Sequence, residues 1–277
     1  MTAPTAKSLI LDLLSTLRRG SMPVRALVAA GALFDVDENN IRVALARLLS
    51  SGLVARDERG RYRLGERAEA VGRQVARWRS IEQELRPWTG AWVAVLGADR
   101  RAERPLQFFA FRELTPGMHV RPDNLAGGVA TLRQQLVALG LSADVVVASL
   151  GDLDEATEAR ARALWDTSAL RAGYRDARAR LARSERRLPR LAPGTAMVES
   201  FLLGGAVLRQ LALDPRLPDP LAPSEDRAAL VDTMRRYDRL GRSCWAAFMR
   251  EFEVLPEARA PVDARIADGP GLEGHPS

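Results

Sequence analysis

DENNIRVALARLLSSGLVARDERGRYRLG, residues 37–65, carries two different periodicities in succession. In its first half Ile41, Ala44, Leu45 and Leu48 recur at helical spacing. Asp37 stands just before them, a residue type that caps a helix by accepting a backbone N–H. Gly52 ends that run. LVARDERGRYRLG then reads as two short strands around a turn at Glu58-Arg59-Gly60, which predicts a hairpin. Upstream, residues 7–19 (KSLILDLLSTLRR) set Leu9, Ile10, Leu13, Leu14 and Leu17 on one stripe closed by Gly20. Pro23 opens a second helical run, VRALVAAGALF, with Leu27, Val28 and Leu33 as apolar members. A proline at the first helical position costs nothing, because that N–H has no intrahelical partner. Asp35-Val36 is a short connection. Helix, helix, turn, helix and hairpin make the order of a winged helix-turn-helix over residues 1–65.

Residues 66–86 read as a charged connector helix. Trp88 to Gly97 (WTGAWVAVLG) has the composition of a buried strand. A helix around 101–110 follows, then strands near 112–115 and 117–121 separated by Pro116-Gly117, a helix over about 125–139, and a strand from Ala143 to Leu150. That β-α-β-β-α-β order is the ferredoxin-like unit, expected over 87–152. From about 155 the pattern is helical, over 155–188, 195–213 and 224–253, with Pro215, Pro218, Pro220 and Pro223 marking a loop. A helical domain is therefore expected over 153–255. Residues 256–277 are rich in Pro, Gly and Ala, and read as a disordered tail. The fold class is α+β.

The 47% hydrophobic fraction of these 277 residues excludes disorder over most of the length. The longest apolar run, Phe201 to Leu208, is far short of the roughly 20 residues that cross a bilayer. The N-terminus lacks a basic region, and Asp12 interrupts its apolar stretch, so it does not read as a signal peptide. Cys244 is alone, which forbids an intrachain disulfide and suits a reducing, cytoplasmic setting. A net charge of +6 points to an anionic partner. Lys7 is the only lysine, however, so an arginine-rich composition supplies nearly all of it. Residues 1–65 carry ten basic and six acidic side chains, a net of +4.

Several segments resemble the PaaX family of bacterial regulators, which are related to the repressor of phenylacetate degradation. NNIRVALARLLSSGLV and RGRYRLG are similar to its DNA-reading helix and wing. RPWTGAW at 86–92 and PGMHVRPDNLAGG at 116–128 resemble its middle signatures. VESFLLGG at 198–205, LDPRLPDPL at 213–221 and MRRYDRLGRSCWAAF at 234–248 resemble its C-terminal ones. The order matches over roughly residues 8–253. The resemblance implies a winged-helix domain, a Cas2-like ferredoxin domain, a helical C-terminal domain and a homodimer. It also implies a repressor or regulator of a catabolic operon, released from double-stranded operator DNA by an acyl-CoA, an aryl one in the founding members.

With Ile41, Ala44, Leu45 and Leu48 facing inward, the third helix presents Asn39, Asn40, Arg42, Val43, Ala46 and Arg47 outward. Arginine can read guanine and asparagine adenine in the major groove, and Val43 could meet a thymine methyl. Arg59 and Arg61 at the wing suit phosphate or minor-groove contact. An effector such as acyl-CoA needs cations for its phosphates and an apolar slot. His119, Arg121 and Asn124 are the polar candidates, with Trp88, Trp92 and Phe109 as an apolar wall. Tyr237, Arg239, Arg242 and Trp245 form a second cluster at helical spacing. The competing reading is that these aromatics are core and these charges bind one another.

No catalytic constellation, P-loop or dinucleotide-binding glycine pattern occurs, and no cofactor is implied. His119 and His275 are the only histidines, so a metal cluster is not expected. Gly127-Gly128 and Gly204-Gly205 lie in stretches that read as helical, where close packing explains them. Two alternatives remain. One is a metal-dependent nuclease using Asp99 after the first strand of the Cas2-like unit. The other is a dimeric adaptor whose wing contacts protein.

Overall fold

The computed structural model describes residues 4–17, 20–57, 59–66, 68, 77–98 and 102–254. The chain forms two compact units, Thr2–Glu69 with Phe248–Ser277, and Ala70–Ala247. The expected tail over 256–277 and residues 67 and 69–76 of the expected connector helix lie outside the described residues. Within 66–86, residues Arg77–Glu84 form a 3-10 helix.

In the smaller unit the first helix, α1 (Ala6–Ser15), starts where Thr5 Oγ1 accepts from the Ser8 N–H at 3.2 Å. Its stripe of Leu9, Ile10, Leu13 and Leu14, with Leu17 beyond it, is buried. Helix α2 (Val24–Leu33) buries Ala26, Leu27 and Ala30, while Val28 and Leu33 are only half-buried. Pro23 stands one position earlier than expected, with extended ψ of 153° at the cap. The reason lies in the neighbouring Met22, whose N–H and C=O both pair with Tyr62 at 2.8 Å. That bridge holds the chain extended up to Pro23.

Helix α3 (Glu38–Ser50) begins under Asp37, whose Oδ1 accepts from the Asn40 N–H at 2.8 Å. Ile41, Leu45 and Leu48 are buried, and α3 packs against α1, α2 and the first hairpin strand. Burial of a large aliphatic side chain is worth about 1.5–3 kcal/mol, so this stripe fixes which face of α3 remains outside. Strands β1 (Val54–Arg56) and β2 (Tyr62–Leu64) pair antiparallel, with Ala55 opposite Arg63. The turn between them closes through Gly60 at φ +73°, a left-handed conformation that glycine adopts without strain.

The larger unit is built on a four-stranded sheet. Its strands are β3 (Trp92–Leu96), β4 (Arg112–Thr115), β5 (Met118–Pro122) and β6 (Val146–Leu150). They pair in the order β4-β5-β3-β6, every pair antiparallel. Helix α4 (Glu103–Phe108) joins β3 to β4, and α5 (Gly128–Ala138) joins β5 to β6. Alternation along β3 decides both faces. Val93 and Val95 pack with Leu106, Phe109, Leu132 and Leu136, on the side of the two crossover helices. Trp92 and Ala94, with Val120 of β5, pack against Ala161, Trp165, Leu217 and Ala222. Helix 155–162, the link that follows it and the 214–222 loop therefore cover the other face of this sheet, and the segments expected as separate domains at 87–152 and 153–255 share a core.

Three local expectations need correction. The strand expected from Trp88 begins only at Trp92. Gly127 is not helical: it precedes α5 at φ +83°, and a Cβ there would lie 2.3 Å from Thr131 Oγ1. The helix expected over 155–188 is two helices, α6 (Glu155–Arg162) and α7 (Thr167–Arg187). Between them Trp165 turns inward to stack on Trp92 at 6.1 Å, and its Nε1–H donates to Ala110 O at 3.2 Å. Asp166 then recaps the chain by accepting from the Ala169 N–H at 2.9 Å. A 3-10 turn (Leu188–Arg190), α8 (Pro193–Ala212) and α9 (Glu225–Glu251) are the remaining helical elements among the described residues. Tyr174, Leu181, Val207, Leu211, Leu230 and Met234 form the core among these helices.

Candidate nucleic-acid interface

Asn39, Asn40, Arg42, Val43, Ala46 and Arg47 are all exposed on α3, as the inward stripe requires. Val43 keeps 40% of its surface, which is unusual for a large aliphatic side chain in this protein. Two of these residues already have partners. Asn40 donates both its backbone N–H and its side-chain amide to Asp37. Arg42 lies over Glu38, with Nη2 at 2.6 Å and Nε at 2.7 Å from Oε1. Both members of that pair are more than half exposed, so water screens it and another acceptor can displace it.

The hairpin turn is held by Asp57. Its Oδ1 accepts the N–H of Arg61 at 2.8 Å and that of Arg59 at 3.0 Å. The Arg61 amide is the largest of the influences that hold this carboxyl below the usual aspartate range. Arg59 is exposed at the tip. Arg61 is not a free wing cation: its Nε donates to Ser21 Oγ at 3.0 Å, and its Nη2 to Ser21 O at 2.9 Å and to Glu253 O at 2.8 Å. The sequence offered no sign of this, because Glu253 is 192 positions away.

Residues 5–68 match the family model described as PaaX-like protein. This PaaX-like segment contains α1, α2, α3 and the hairpin, and its family is one of regulators. The chain is similar to a solved structure, the uncharacterized protein Rv0674 from Mycobacterium tuberculosis, with TM-score 0.60 and 26% identity. That likeness covers 88% of this chain and 99% of the other, well beyond the PaaX-like segment. No curated protein matches the chain.

Outside the PaaX-like segment, the residues expected around an effector fall into different surroundings. Trp92 and Phe109 belong to cores on opposite faces of the sheet, so they cannot form one wall. Trp88 meets Trp92 edge-on at 5.3 Å and carries Arg162 over its ring at 5.0 Å. His119 is half-buried on β5, and its Nδ1 has no hydrogen-bond partner among the described residues. Arg121 is fully inside. It donates to Phe109 O, Pro122 O, Asn124 Oδ1 and Pro215 O, and Asn124 donates in turn to Arg216 O at 2.7 Å. Burial pulls the pKa of Arg121 down to about 9, and the positive charge of Arg216 adds to that pull.

In the second cluster Tyr237 and Trp245 are buried, while Arg239 and Arg242 are exposed. Tyr237 Oη and Ser184 Oγ are 2.8 Å apart, and burial pushes the phenol up to about 12. Trp245 Nε1–H donates to Met197 O at 3.1 Å, and Arg242 pairs with Asp238 at 3.2 Å. A buried polar network that no local motif revealed joins Tyr174, Asp214 and the ion pair of Arg216 with Glu84 at 2.9 Å. Burial pushes both the Asp214 carboxyl and the Tyr174 phenol up, and Tyr174 donates to Asp214. This network locks the 214–217 loop to the body of the larger unit.

Among the described residues no group of three or more His, Cys, Asp or Glu is arranged to hold a metal ion. Asp99, the residue on which the nuclease alternative turned, lies outside the described residues. No described helix is long and apolar enough to cross a membrane.

Proposed function

We propose that this chain is a DNA-binding transcriptional regulator whose smaller unit acts as a winged helix-turn-helix. The single observation that carries this is the outward face of α3, with Arg42, Val43 and Arg47 exposed together directly before a basic hairpin, inside the PaaX-like segment. Arg42 and Arg47 are residue types that read guanine, and Asn39 one that reads adenine. On this reading Asn40 positions the helix through Asp37 and contributes less to base contact. Arg59 reaches the phosphates, while Arg61 holds the hairpin. The order β4-β5-β3-β6 supports a ferredoxin-like, Cas2-like middle of the larger unit.

Three further parts rest on the family. They are a cytoplasmic homodimer bound to a pseudo-palindromic site, repression of a catabolic operon, and release by an acyl-CoA. Since Arg121 is committed to protein acceptors, the exposed Arg239 and Arg242 are better placed to meet the effector's phosphates. The test is selection of bound duplexes from a randomised library, followed by titration at fixed salt. A selected sequence bound about 10³-fold or more tightly than a scrambled one is expected. Equal affinity for both would refute sequence reading. Phenylacetyl-CoA should lower operator affinity about 5- to 150-fold. No response to any CoA thioester would remove the effector while leaving the DNA reading intact.

A further inference from the structure

We propose that Glu253 is an internal anion, seated in an arginine-lined groove of the smaller unit that takes the phosphodiester backbone of DNA. The inference rests on the DNA-binding reading and extends its contact surface beyond α3 and the hairpin tip.

The groove, about 1160 Å³, runs between the first turn of α2, the hairpin and Glu253. Five arginines line it, Arg25, Arg56, Arg59, Arg61 and Arg63. Against them its described lining holds two carboxylates, Asp57 and Glu253. Asp57 is committed to the turn, where it accepts two backbone N–H groups. Glu253 is the one whose carboxylate pairs with a groove arginine, its Oε2 lying 3.3 Å from Arg25 Nη2.

The placement of Glu253 is specified by its own segment. Val254 is buried, and the Phe248 and Phe252 rings pack at 4.6 Å. Arg61 Nη2 donates to the Glu253 carbonyl at 2.8 Å. The residue itself has φ +52°, a left-handed conformation that a side chain with a Cβ keeps only when its surroundings hold it there. A folded segment thus holds a carboxylate among arginines. The pairing with Arg25 is nevertheless exposed on both sides, 61% and 76%, so it is screened and easily exchanged. A phosphodiester presents the same paired oxygens and single charge that a guanidinium fork prefers. Arg25, Arg59 and Arg63 come to the groove from α2, the hairpin turn and β2, a set of cations suited to a polyanion rather than to one isolated phosphate.

The test uses the full chain and a duplex of unrelated sequence, with affinity followed between about 50 and 200 mM salt. Arg25→Ala and Arg63→Ala should each lower the slope of log K against log salt by about 0.9. Glu253→Gln should tighten binding roughly 1.5- to 5-fold at the low-salt end, the range of an exposed ion pair. Glu251→Gln, exposed on the same helix end but not lining the groove, should leave affinity unchanged. Equal gains from the two glutamine variants would reduce the effect to net charge and overturn the role of Glu253. Unchanged slopes in both arginine variants would overturn the groove, provided their melting curves match the parent; Arg63→Gln replaces Arg63→Ala if the latter does not fold. Duplex binding that responds to Arg42→Ala but to none of these variants would sink this inference and spare the function. A chain that binds no duplex would sink both.

Discussion

Removing Arg42 should separate DNA reading from stability. In the free protein its guanidinium is held by Glu38, with both contacts under 3 Å and both side chains more than half exposed. Such an i,i+4 pair is worth about 0.3–0.5 kcal/mol. Arg42→Ala should therefore move the urea unfolding free energy by no more than about 0.5 kcal/mol. A bidentate guanine contact discriminates by about 1–3 kcal/mol, so the same variant should lose roughly 5- to 150-fold in affinity for a selected duplex. To reach a base, Arg42 must leave Glu38, and that cost is subtracted from the contact it makes. Glu38→Gln should then tighten specific binding by about 0.3–0.5 kcal/mol, close to twofold. In the Arg42→Ala background the same change should do little, because the two residues are coupled. Anisotropy titrations of the four proteins on the selected and a scrambled duplex would measure this cycle. If Arg42→Ala weakened both duplexes equally, Arg42 would be a phosphate contact. If the unfolding midpoint fell in step with affinity, its role would be structural and the reasoning would fail.

Arg121→Met should cost the larger unit about 3–5 kcal/mol, since it strands the Phe109 and Pro215 carbonyls and the Asn124 amide inside the protein; a change of under 1 kcal/mol in urea unfolding would contradict that account. Asp166 in its ionised form accepts from the Ala169 N–H and the Ser168 hydroxyl, which hold its folded pKa below 3.8. Its contribution is complete above the unfolded value and is lost as pH falls through the lowered one, so Asp166→Asn should flatten the fall of melting temperature below about pH 4. An unchanged acid limb would show that the cap contributes nothing to it. Gly65→Ala should unfold the hairpin side of the smaller unit, because the new Cβ would lie 2.1 Å from the Gly52 carbonyl oxygen. Retained duplex affinity together with an unchanged melting curve would show that this backbone can yield.

The readings that held were those whose cause is local. Asp37 is a cap because the amide it accepts is three residues on, and the stripe Ile41, Leu45, Leu48 follows from one helix period. The hairpin turn likewise needs only Gly60 and Asp57. Several readings that needed correction depended on partners far along the chain, although that of Gly127 turned on Thr131, four residues on. The break after α6 follows from Trp165 stacking on a strand residue 73 positions earlier, and an apolar period alone cannot register that. Arg121 read as a ligand contact because arginine at a strand end is ordinarily wet. Its acceptors include a carbonyl 94 positions away. Arg61 read as a wing cation for the same reason, and here too the partner lies in the last described segment. The outward face of α3 was legible because exposure there is the complement of a stripe. The arginine groove was not, because it is assembled from α2, the hairpin and residues near 253.

The smaller unit is discontinuous in sequence, and this has a consequence for the chain as it is made. Arg25 and Arg61 leave the ribosome 228 and 192 residues ahead of the glutamate they meet. At about 5–20 residues per second, roughly 10–40 s separate the hairpin from Glu253. Throughout that interval α1, α2, α3 and the hairpin are already available to pair with one another through short-range contacts, which form early. The nascent chain therefore carries Arg25 before it carries the acid that pairs with it, next to a ribosome made largely of RNA.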